Sequence, residues 1–222
     1  MPFSAIIFDL DGTLLNTLSD LAESANRVIM ARGFPGHPRA AYKKFVGDGA
    51  ATLVRRILPA GSPQELADAC LADFLADYRQ NWKKHTAPYD GIPDLLSFLK
   101  GRGVATAVLS NKPHPMTELN VAEFFGKDAF SFVLGEGAGF VKKPDPDGAL
   151  HLARGFGLAP SRVAYLGDTA TDMDTATTAG MYALGALWGF REAEELLAHG
   201  AKKLFAKPGD LVAAWDSLSP EA

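Results

Sequence analysis

Two carboxylates lie two residues apart in the segment FDLDGTL, which spans positions 8–14. Asp9 and Asp11 follow the apolar run AII at positions 5–7, where a buried strand is expected to end. Side chains two apart on a strand share a face, and Gly12 permits a sharp turn just beyond them. Because like charges this close repel each other, the pair needs a positive partner. Mg²⁺ suits it, since this ion accepts one or two carboxylates and keeps its other positions for water and phosphate oxygens.

Two further segments place phosphate-binding chemistry at predicted strand ends. In LSNKP, at positions 109–113, Ser110 and Asn111 offer a hydroxyl and neighbouring backbone N–H groups to phosphate oxygens, although a simple helix cap would use the same residues. In KKPDP, at positions 142–146, Lys142 and Lys143 precede prolines that stiffen the backbone and so could fix a lysine head group. A solvated pair of surface lysines is the alternative there.

The segment LGDTATDMD, at positions 166–174, adds two more carboxylates. Asp168 ends an apolar strand pattern, and Asp172 lies one helical turn further along the chain. Together with Asp9 and Asp11 they would complete an acidic cage for a divalent cation. Helix N-terminal charges that favour the helix dipole are the alternative explanation.

Short apolar runs alternate with helical patterns along the chain, which predicts an α/β fold with a doubly wound, Rossmann-like parallel sheet. The predicted strands lie at 4–10, 105–111, 130–135, 162–168, 182–188 and 203–206. The predicted helices around them lie at 93–103, 146–157, 171–180 and 190–200. Such sheets bind ligands at the carboxyl ends of their strands, where the four polar segments lie.

One interval breaks this alternation, because residues 17–87 show only helical patterns. Thr17 to Asp20 resembles a capping box. An i+4 ladder of side chains typical of a helix-bundle core follows, formed by Leu66, Cys70, Phe74, Tyr78 and Trp82. The pattern predicts a helical cap domain at 17–87, inserted into a core domain of residues 1–16 and 88–222, above the carboxyl ends of the strands.

The motifs DLDGT, LSN, KP and GDTATD, in this order and each at a predicted strand end, resemble those of the haloacid dehalogenase superfamily of phosphatases. The resemblance covers essentially the whole chain. It implies that Asp9 is a nucleophile that becomes an aspartyl phosphate. It also implies that Asp11 protonates the leaving group and then activates water, and that Lys143, rather than Lys142, is the lysine that offsets the phosphoryl charge.

The same resemblance implies a Mg²⁺ cofactor. In the family this ion is held by the first aspartate, here Asp9, by the backbone carbonyl of the second, here Asp11, and by the acidic motif, here Asp168. Asp172 matches the second acid of that motif and is expected to support the site.

Finer features resemble the phosphoglycolate phosphatases of this superfamily. These are the opening segment DLDGTLLNTLSDLAESANRVI and the loop VGDGAATLVRR at positions 46–56. They imply a small phosphorylated substrate, with 2-phosphoglycolate as the first candidate. A glycine loop lets the backbone approach the substrate carboxylate closely. Arg55 or Arg56 could face that carboxylate, although a solvated helix face is the favoured interpretation of both. The predicted substrate-binding residues are Thr13, Ser110, Asn111, Gly47, Asp48 and Gly49.

Other members of the superfamily define the alternatives. Asp11 argues against the dehalogenases, which lack the second aspartate, and the early insert helix lacks the histidine of the sugar-phosphate mutases. Phosphonatases need an insert lysine, so Lys43, Lys44, Lys83 and Lys84 leave that activity open. Phosphatases acting on pyrophosphate, nucleotides or sugar phosphates also stay open. A non-catalytic phosphate-binding protein is disfavoured because Asp9, Asp11 and Lys143 are all present.

Composition and charge limit the class of protein, its partners and its location. The chain has 222 residues, of which 47% are hydrophobic and 22% charged, as in ordinary globular proteins. Its net charge of −4 argues against a nucleic-acid partner, and no apolar run reaches the ~18 residues of a membrane span. The single cysteine, Cys70, cannot form an internal disulfide, and the N-terminus lacks the pattern of a signal peptide. A cytoplasmic protein is expected, as a monomer or homodimer.

Overall fold

A six-stranded parallel sheet forms the centre of the structure, a computed structural model that describes residues 3–219. The strands are β1 (Ala5–Phe8), β4 (Ala105–Pro113), β5 (Phe132–Glu136), β6 (Val163–Gly167), β7 (Tyr182–Ala186) and β8 (Lys203–Phe205). Their order across the sheet is β5-β4-β1-β6-β7-β8. Every predicted strand is therefore present, and the predicted α/β class with a doubly wound parallel sheet is confirmed.

Within residues 3–219, ten α-helices accompany the strands. Those of the predicted insert are α1 (Leu18–Ala31), α2 (Tyr42–Phe45), α3 (Ala50–Ile57) and α4 (Gln64–Asn81). The others are α5 (Ile92–Gly101), α6 (His114–Phe124), α7 (Asp147–Phe156), α8 (Ala170–Thr178), α9 (Ala193–Ala198) and α10 (Pro208–Ala214). None of the helices within residues 3–219 is both long and apolar enough to cross a membrane.

Strand β1 shows why the central strands are apolar along their whole length. Ile6 and Phe8 face the hydrophobic cluster on one side of the sheet, and Ala5 and Ile7 face the cluster on the other. All four side chains are fully buried. Since successive side chains on a strand point to opposite faces, a sheet covered by helices on both sides requires this continuous apolar run.

Helices α1 to α4 form most of a third hydrophobic cluster, which also includes Phe190 and adjoins one sheet cluster through Phe124. Cys70, Phe74 and Tyr78 contribute to it from one face of α4, as the i+4 ladder predicts. Leu75, on the neighbouring face, is 36% exposed and lines a pocket described below. The ladder is thus mainly a packing surface.

Two chain connections join the helical insert to the sheet, one leaving the core and one returning to it. Strands β2 (Leu15–Asn16) and β3 (Ala87–Pro88), which the sequence did not predict, pair antiparallel at this junction. The capping box predicted at Thr17 to Asp20 is wrong, because Thr17 makes no side-chain cap hydrogen bond. The Asp20 carboxylate instead accepts hydrogen bonds from the Thr86 N–H, the Thr86 hydroxyl and the His85 N–H, at 2.7–3.0 Å. Asp20 therefore ties the outgoing connection to the returning one.

Replacing Asp20 with Ala is expected to destabilise the protein by roughly 2–3 kcal/mol, because the donors of residues 85 and 86 would lose their buried acceptor. Urea unfolding of the purified variant measures this change. Asp68→Ala, which removes an exposed carboxylate from α4, is the control and should stay within about 0.5 kcal/mol of the wild type. A loss for Asp20→Ala as small as that of the control would contradict the role given to Asp20.

Candidate active site

The predicted polar segments converge at the carboxyl edge of the sheet. Asp9 directly follows β1, Ser110 lies near the end of β4, and Asp168 follows β6. Strands β4 and β6 flank β1 on its two sides, and the chain winds outwards in opposite directions from there. This is the topological switch point at which doubly wound sheets form a crevice.

Lys143 lies between two of the buried carboxylates. Its Nζ donates to Asp9 Oδ1 at 2.8 Å and to Asp172 Oδ1 at 2.7 Å, and its side chain is only 2% exposed. Burial by itself would lower the pKa of Lys143, but the carboxylates of Asp172 and Asp9 outweigh it and hold that pKa well above its usual value. Lys143 is therefore a permanently charged group at this edge.

Asp172 does two things at once. Its Oδ1 accepts from Lys143, while its Oδ2 accepts from the Thr169 N–H at 3.1 Å and the Thr169 hydroxyl at 2.7 Å. The latter contacts belong to a capping box at the start of α8. Asp172 therefore caps α8 and at the same time contacts Lys143, and both of its oxygens accept hydrogen bonds.

The Asp168 side chain fits into a narrow space that is open because residues 12 and 189 are glycines. Its carboxylate accepts from the Thr13 hydroxyl at 2.9 Å and from the Phe190 N–H at 2.8 Å. A Cβ on Gly12 or Gly189 would collide with the Asp168 side chain, and Gly12 also has a φ of +98°. Glycine is thus required at both positions for Asp168 to approach the first strand.

The carboxylates of Asp9, Asp168 and Asp172 fit a divalent cation. An oxygen from each lies within 4.8 Å of the others, and all three residues are buried. With Lys143 as the neighbouring cation, the ionised cluster has two negative charges in excess, which one divalent ion would neutralise. Hydrogen bonding does not distinguish the candidates, because both oxygens of Asp168 and both oxygens of Asp172 accept hydrogen bonds. The family resemblance predicts Asp9 and Asp168 as the carboxylates that hold the ion.

The excess negative charge also contributes to raised pKa values of the buried carboxylates. Burial, followed by the nearby Asp172 carboxylate, raises the pKa of Asp9 to about 7, although Lys143 opposes the shift. Burial and the neighbouring carboxylates of Asp9 and Asp172 likewise raise the pKa of Asp168 well above its usual value. The cluster as described is therefore short of positive charge.

Asp11 belongs to a second charged cluster, separate from the first. Lys112 Nζ donates to both of its carboxylate oxygens, at 2.8 and 3.0 Å, and to the Tyr78 hydroxyl oxygen at 2.9 Å. Burial alone would lower the pKa of Lys112, but Asp11 and Tyr78 keep it above its usual value. The sequence analysis missed Lys112 and interpreted Tyr78 as packing. The one feature of the sequence that could have indicated Lys112 is its position two residues after Ser110 in the segment LSNKP.

The other predicted substrate-binding residues of the core occupy different positions. Ser110 lines the pocket, and its Oγ accepts from the Lys112 N–H at 3.2 Å. The Thr13 hydroxyl is engaged with Asp168. The Asn111 side chain joins two loops, since it accepts from the Lys143 N–H at 2.9 Å and donates to the Lys143 carbonyl at 3.0 Å and to the Gly47 carbonyl at 3.2 Å.

The insert loop is attached to the core mainly through its backbone. Gly47 and Gly49 line the pocket, whereas the Asp48 side chain accepts from the Thr171 hydroxyl at 2.5 Å and pairs with Arg56 at 2.5 Å. Arg55 pairs with Gln64. Neither arginine lines the pocket, so the structure does not bring them to the catalytic edge.

One pocket lies between the carboxyl edge of the sheet and the insert helices. Asp9, Asp11, Ser110 and Lys112 line it from the sheet. Apolar side chains line most of the opposite wall, among them Leu21, Leu53, Phe74 and Leu75, with Met116 beside them. The arrangement can hold a small anion at the sheet and enclose what is attached to it.

Comparison with known proteins identifies the class. The family model of haloacid dehalogenase-like hydrolases matches residues 6–186. The chain belongs to this family, as its four motifs predicted.

Individual relatives of the chain carry the name phosphoglycolate phosphatase. The phosphoglycolate phosphatase of Chromobacterium violaceum is 33% identical over 214 residues, covering 94% of this chain and 96% of that protein. The phosphoglycolate phosphatase of Thiobacillus denitrificans is 32% identical over 184 residues, covering 81% of each. A solved structure from Lactobacillus delbrueckii subsp. bulgaricus, assigned as a phosphoglycolate phosphatase, matches with a TM-score of 0.91 at 30% identity, covering 96% of this chain and 98% of that one. The predicted enzyme class, a phosphatase, is confirmed by these relatives.

Magnesium is expected to stabilise the folded protein, because it would neutralise the excess charge of the aspartate cluster. At a concentration about 100 times its dissociation constant, Mg²⁺ adds about 2.7 kcal/mol of stability. For a chain of this length, that raises the melting temperature by roughly 5–10 °C. A thermal melt with and without Mg²⁺ measures the shift.

Asp168→Asn should remove most of that shift, since it deletes one of the two carboxylates proposed to hold the ion. Asp174→Asn, which alters a half-buried carboxylate on the same helix as Asp172, is the matched control and should keep the full shift. An unchanged response in Asp168→Asn would contradict the assignment of the cluster as a metal site.

Proposed function

We propose that the protein is a Mg²⁺-dependent phosphomonoesterase that acts through an aspartyl phosphate on a small phosphorylated metabolite, with 2-phosphoglycolate as the foremost candidate. The observation that carries this proposal is the separation of two neighbouring carboxylates into different environments. Asp9 is buried against Lys143, and Asp11 lies at the same pocket against Lys112. Two such carboxylates can divide nucleophilic attack from proton transfer.

In the first step, an Asp9 carboxylate oxygen attacks phosphorus, and the bond from phosphorus to the leaving oxygen breaks. Asp11, in its protonated form, gives its proton to that oxygen, which leaves as an alcohol. Lys143 donates hydrogen bonds near the transferring oxygens and offsets the repulsion between the carboxylate and the phosphate. Asp9 and Asp168 would hold the Mg²⁺, which would supply the further positive charge that the cluster lacks.

In the second step, Asp11 takes a proton from water, and the resulting hydroxide oxygen attacks the phosphorus of the aspartyl phosphate. The acyl phosphate bond breaks, inorganic phosphate leaves and the Asp9 carboxylate is regenerated. Asp11 then holds the proton needed for the next cycle. Its position beside Asp9 on the wall of the same pocket supports this double use.

We further propose that residues 17–87 act as a cap domain over the core of residues 1–16 and 88–222. The hydrophobic cluster formed mostly by the insert helices and the position of the insert across the pocket support this division. By covering the site, the insert would exclude water from the first step and shape the space around the leaving group. The lone buried Cys70 supports a cytoplasmic location.

Phosphonate hydrolysis is less well supported. It would need an insert lysine in the pocket, whereas Lys43, Lys44 and Lys84 are exposed and Lys83 pairs with Glu123 at 2.9 Å. Among the described residues, no insert lysine lines the pocket.

A panel of phosphate esters tests the proposed activity. We expect Mg²⁺-dependent release of phosphate, abolished by a chelator, with 2-phosphoglycolate preferred over p-nitrophenyl phosphate, nucleotides and pyrophosphate. Even turnover across the panel would keep the chemistry and reject the named substrate. No release from any compound would reject the phosphatase proposal itself.

Asp9→Asn tests the nucleophile. An amide cannot form the acyl phosphate, so we expect the rate to fall at least about 1,000-fold, with circular dichroism unchanged. Asp90→Asn, which alters an exposed carboxylate before α5, is the control and should retain wild-type turnover. Near-normal activity of Asp9→Asn would overturn the assignment.

Asp11→Asn tests the acid/base role separately. p-Nitrophenolate is a good leaving group and needs no proton, so this variant should still release about one equivalent of it in a rapid burst. Hydrolysis of the aspartyl phosphate should then be slower by roughly 100- to 10,000-fold. Rapid-quench or stopped-flow measurement resolves the two phases, and steady turnover at the wild-type rate would contradict the role of Asp11.

A further inference from the structure

Lys112 is the one cation, among the described residues, on the wall of the pocket. The arginines that the sequence suggested for this purpose, Arg55 and Arg56, pair with other groups outside it. Lys143 lies behind Asp9 rather than on the wall. Any second anionic group on a substrate would therefore meet Lys112 first.

Tyr78 provides a second donor at the same point. Its hydroxyl oxygen accepts from Lys112, so its own hydrogen stays available, and no acceptor for it is seen among residues 3–219. Tyr78 is 3% exposed and lines the pocket. An unused donor this well buried favours an acceptor that arrives with the ligand.

Lys112 lies next to the predicted phosphate position. The Lys112 N–H donates to Ser110 Oγ at 3.2 Å, within the segment between Leu109 and Pro113 where β4 departs from regular pairing with β5. Ser110 and Lys112 both line the pocket. A phosphate near Ser110 and an anionic group near Lys112 would thus belong to a substrate of only a few atoms.

We propose that Lys112 and Tyr78 form the site that binds the carboxylate of the substrate, and that they select for short phosphate esters with an anionic leaving group. This inference rests on the proposed phosphatase function and deepens it. Lys112 directs hydrogen bonds to both oxygens of Asp11, although one is enough to hold that carboxylate. The second of these Lys112 N–H groups, together with the Tyr78 hydroxyl hydrogen, binds the substrate carboxylate. The other insert side chains on the wall, including Leu53 and Phe74, are apolar and offer no competing side-chain donor.

Two substrates that differ only in the anionic group test this proposal. 2-Phosphoglycolate carries a carboxylate where 2-hydroxyethyl phosphate carries a hydroxymethyl group, and the phosphate ester is otherwise alike. We expect wild-type kcat/KM to favour 2-phosphoglycolate, and Lys112→Met to lower that ratio by roughly 10- to 100-fold, as expected for loss of a charged hydrogen bond. Lys127→Met, which alters an exposed lysine outside the pocket, should leave the ratio unchanged.

The ratio of the two kcat/KM values distinguishes binding of the substrate carboxylate by Lys112 from positioning of Asp11 by Lys112. If Lys112 serves only to orient Asp11, both substrates lose the same factor and the proposal is overturned. Equal wild-type kcat/KM for the two compounds also overturns it, while the phosphatase function stands. If the wild type cleaves no phosphate ester at all, the proposed function has failed and this inference falls with it.

Tyr78→Phe is the second variant, since it keeps both charges and changes only a hydroxyl. We expect the KM for 2-phosphoglycolate to rise roughly 3- to 10-fold more than the KM for 2-hydroxyethyl phosphate. If Lys112→Met fails to fold, as judged by circular dichroism, this variant decides the question. An unchanged ratio of the two KM values in Tyr78→Phe would then overturn the proposal.

Discussion

The contact on which the site depends is the one between Lys143 and the buried carboxylates of Asp9 and Asp172. Three carboxylates cannot be buried within a few ångströms of one another unless positive charge lies among them, because burial and mutual repulsion both disfavour the ionised form. Much of the surrounding structure holds this lysine in place. Asn111 binds the backbone of Lys143 on both sides, and Thr169 fixes the orientation of Asp172. One lysine leaves the cluster short of positive charge, which is the physical basis for a metal ion there.

A second lysine separates the roles of the two neighbouring aspartates. Asp9 and Asp11 line the same pocket, yet Asp9 is directed towards Lys143 and Asp11 towards Lys112. The two carboxylates therefore do not have to share one cation, which would couple their protonation. Lys112 also contacts Tyr78 of the insert, so the Asp11 environment is completed only when insert and sheet lie together. This connects the geometry of the insert to the group proposed to transfer protons.

The insert contacts the sheet through backbone groups as much as through side chains. Asn111, Lys142 and Arg191 each donate to a carbonyl of residues 46–48, at 2.9–3.2 Å. Backbone acceptors are present whatever side chain stands at those positions, so the attachment is compatible with variation in the loop. Side chains of the insert remain free to shape the pocket, and Leu53 and Phe74 do so.

The sequence by itself determined the strands and the class of fold and indicated Asp9, Asp168 and Asp172 as an acidic cluster, because apolar periodicity and polar strand ends are local features. It also placed Asp11 in that cluster, whereas the Asp11 carboxylate pairs with Lys112. It could not determine which side chains become partners. Lys112 and Lys143 both precede a proline, and nothing local distinguishes their roles. Lys112 meets Asp11 across 101 positions of the chain, and Lys143 meets Asp9 across 134. Asp20 gave a helix-cap signal but bonds to Thr86 instead. Only the tertiary structure decided these pairings, because it brings distant segments to one edge of the sheet.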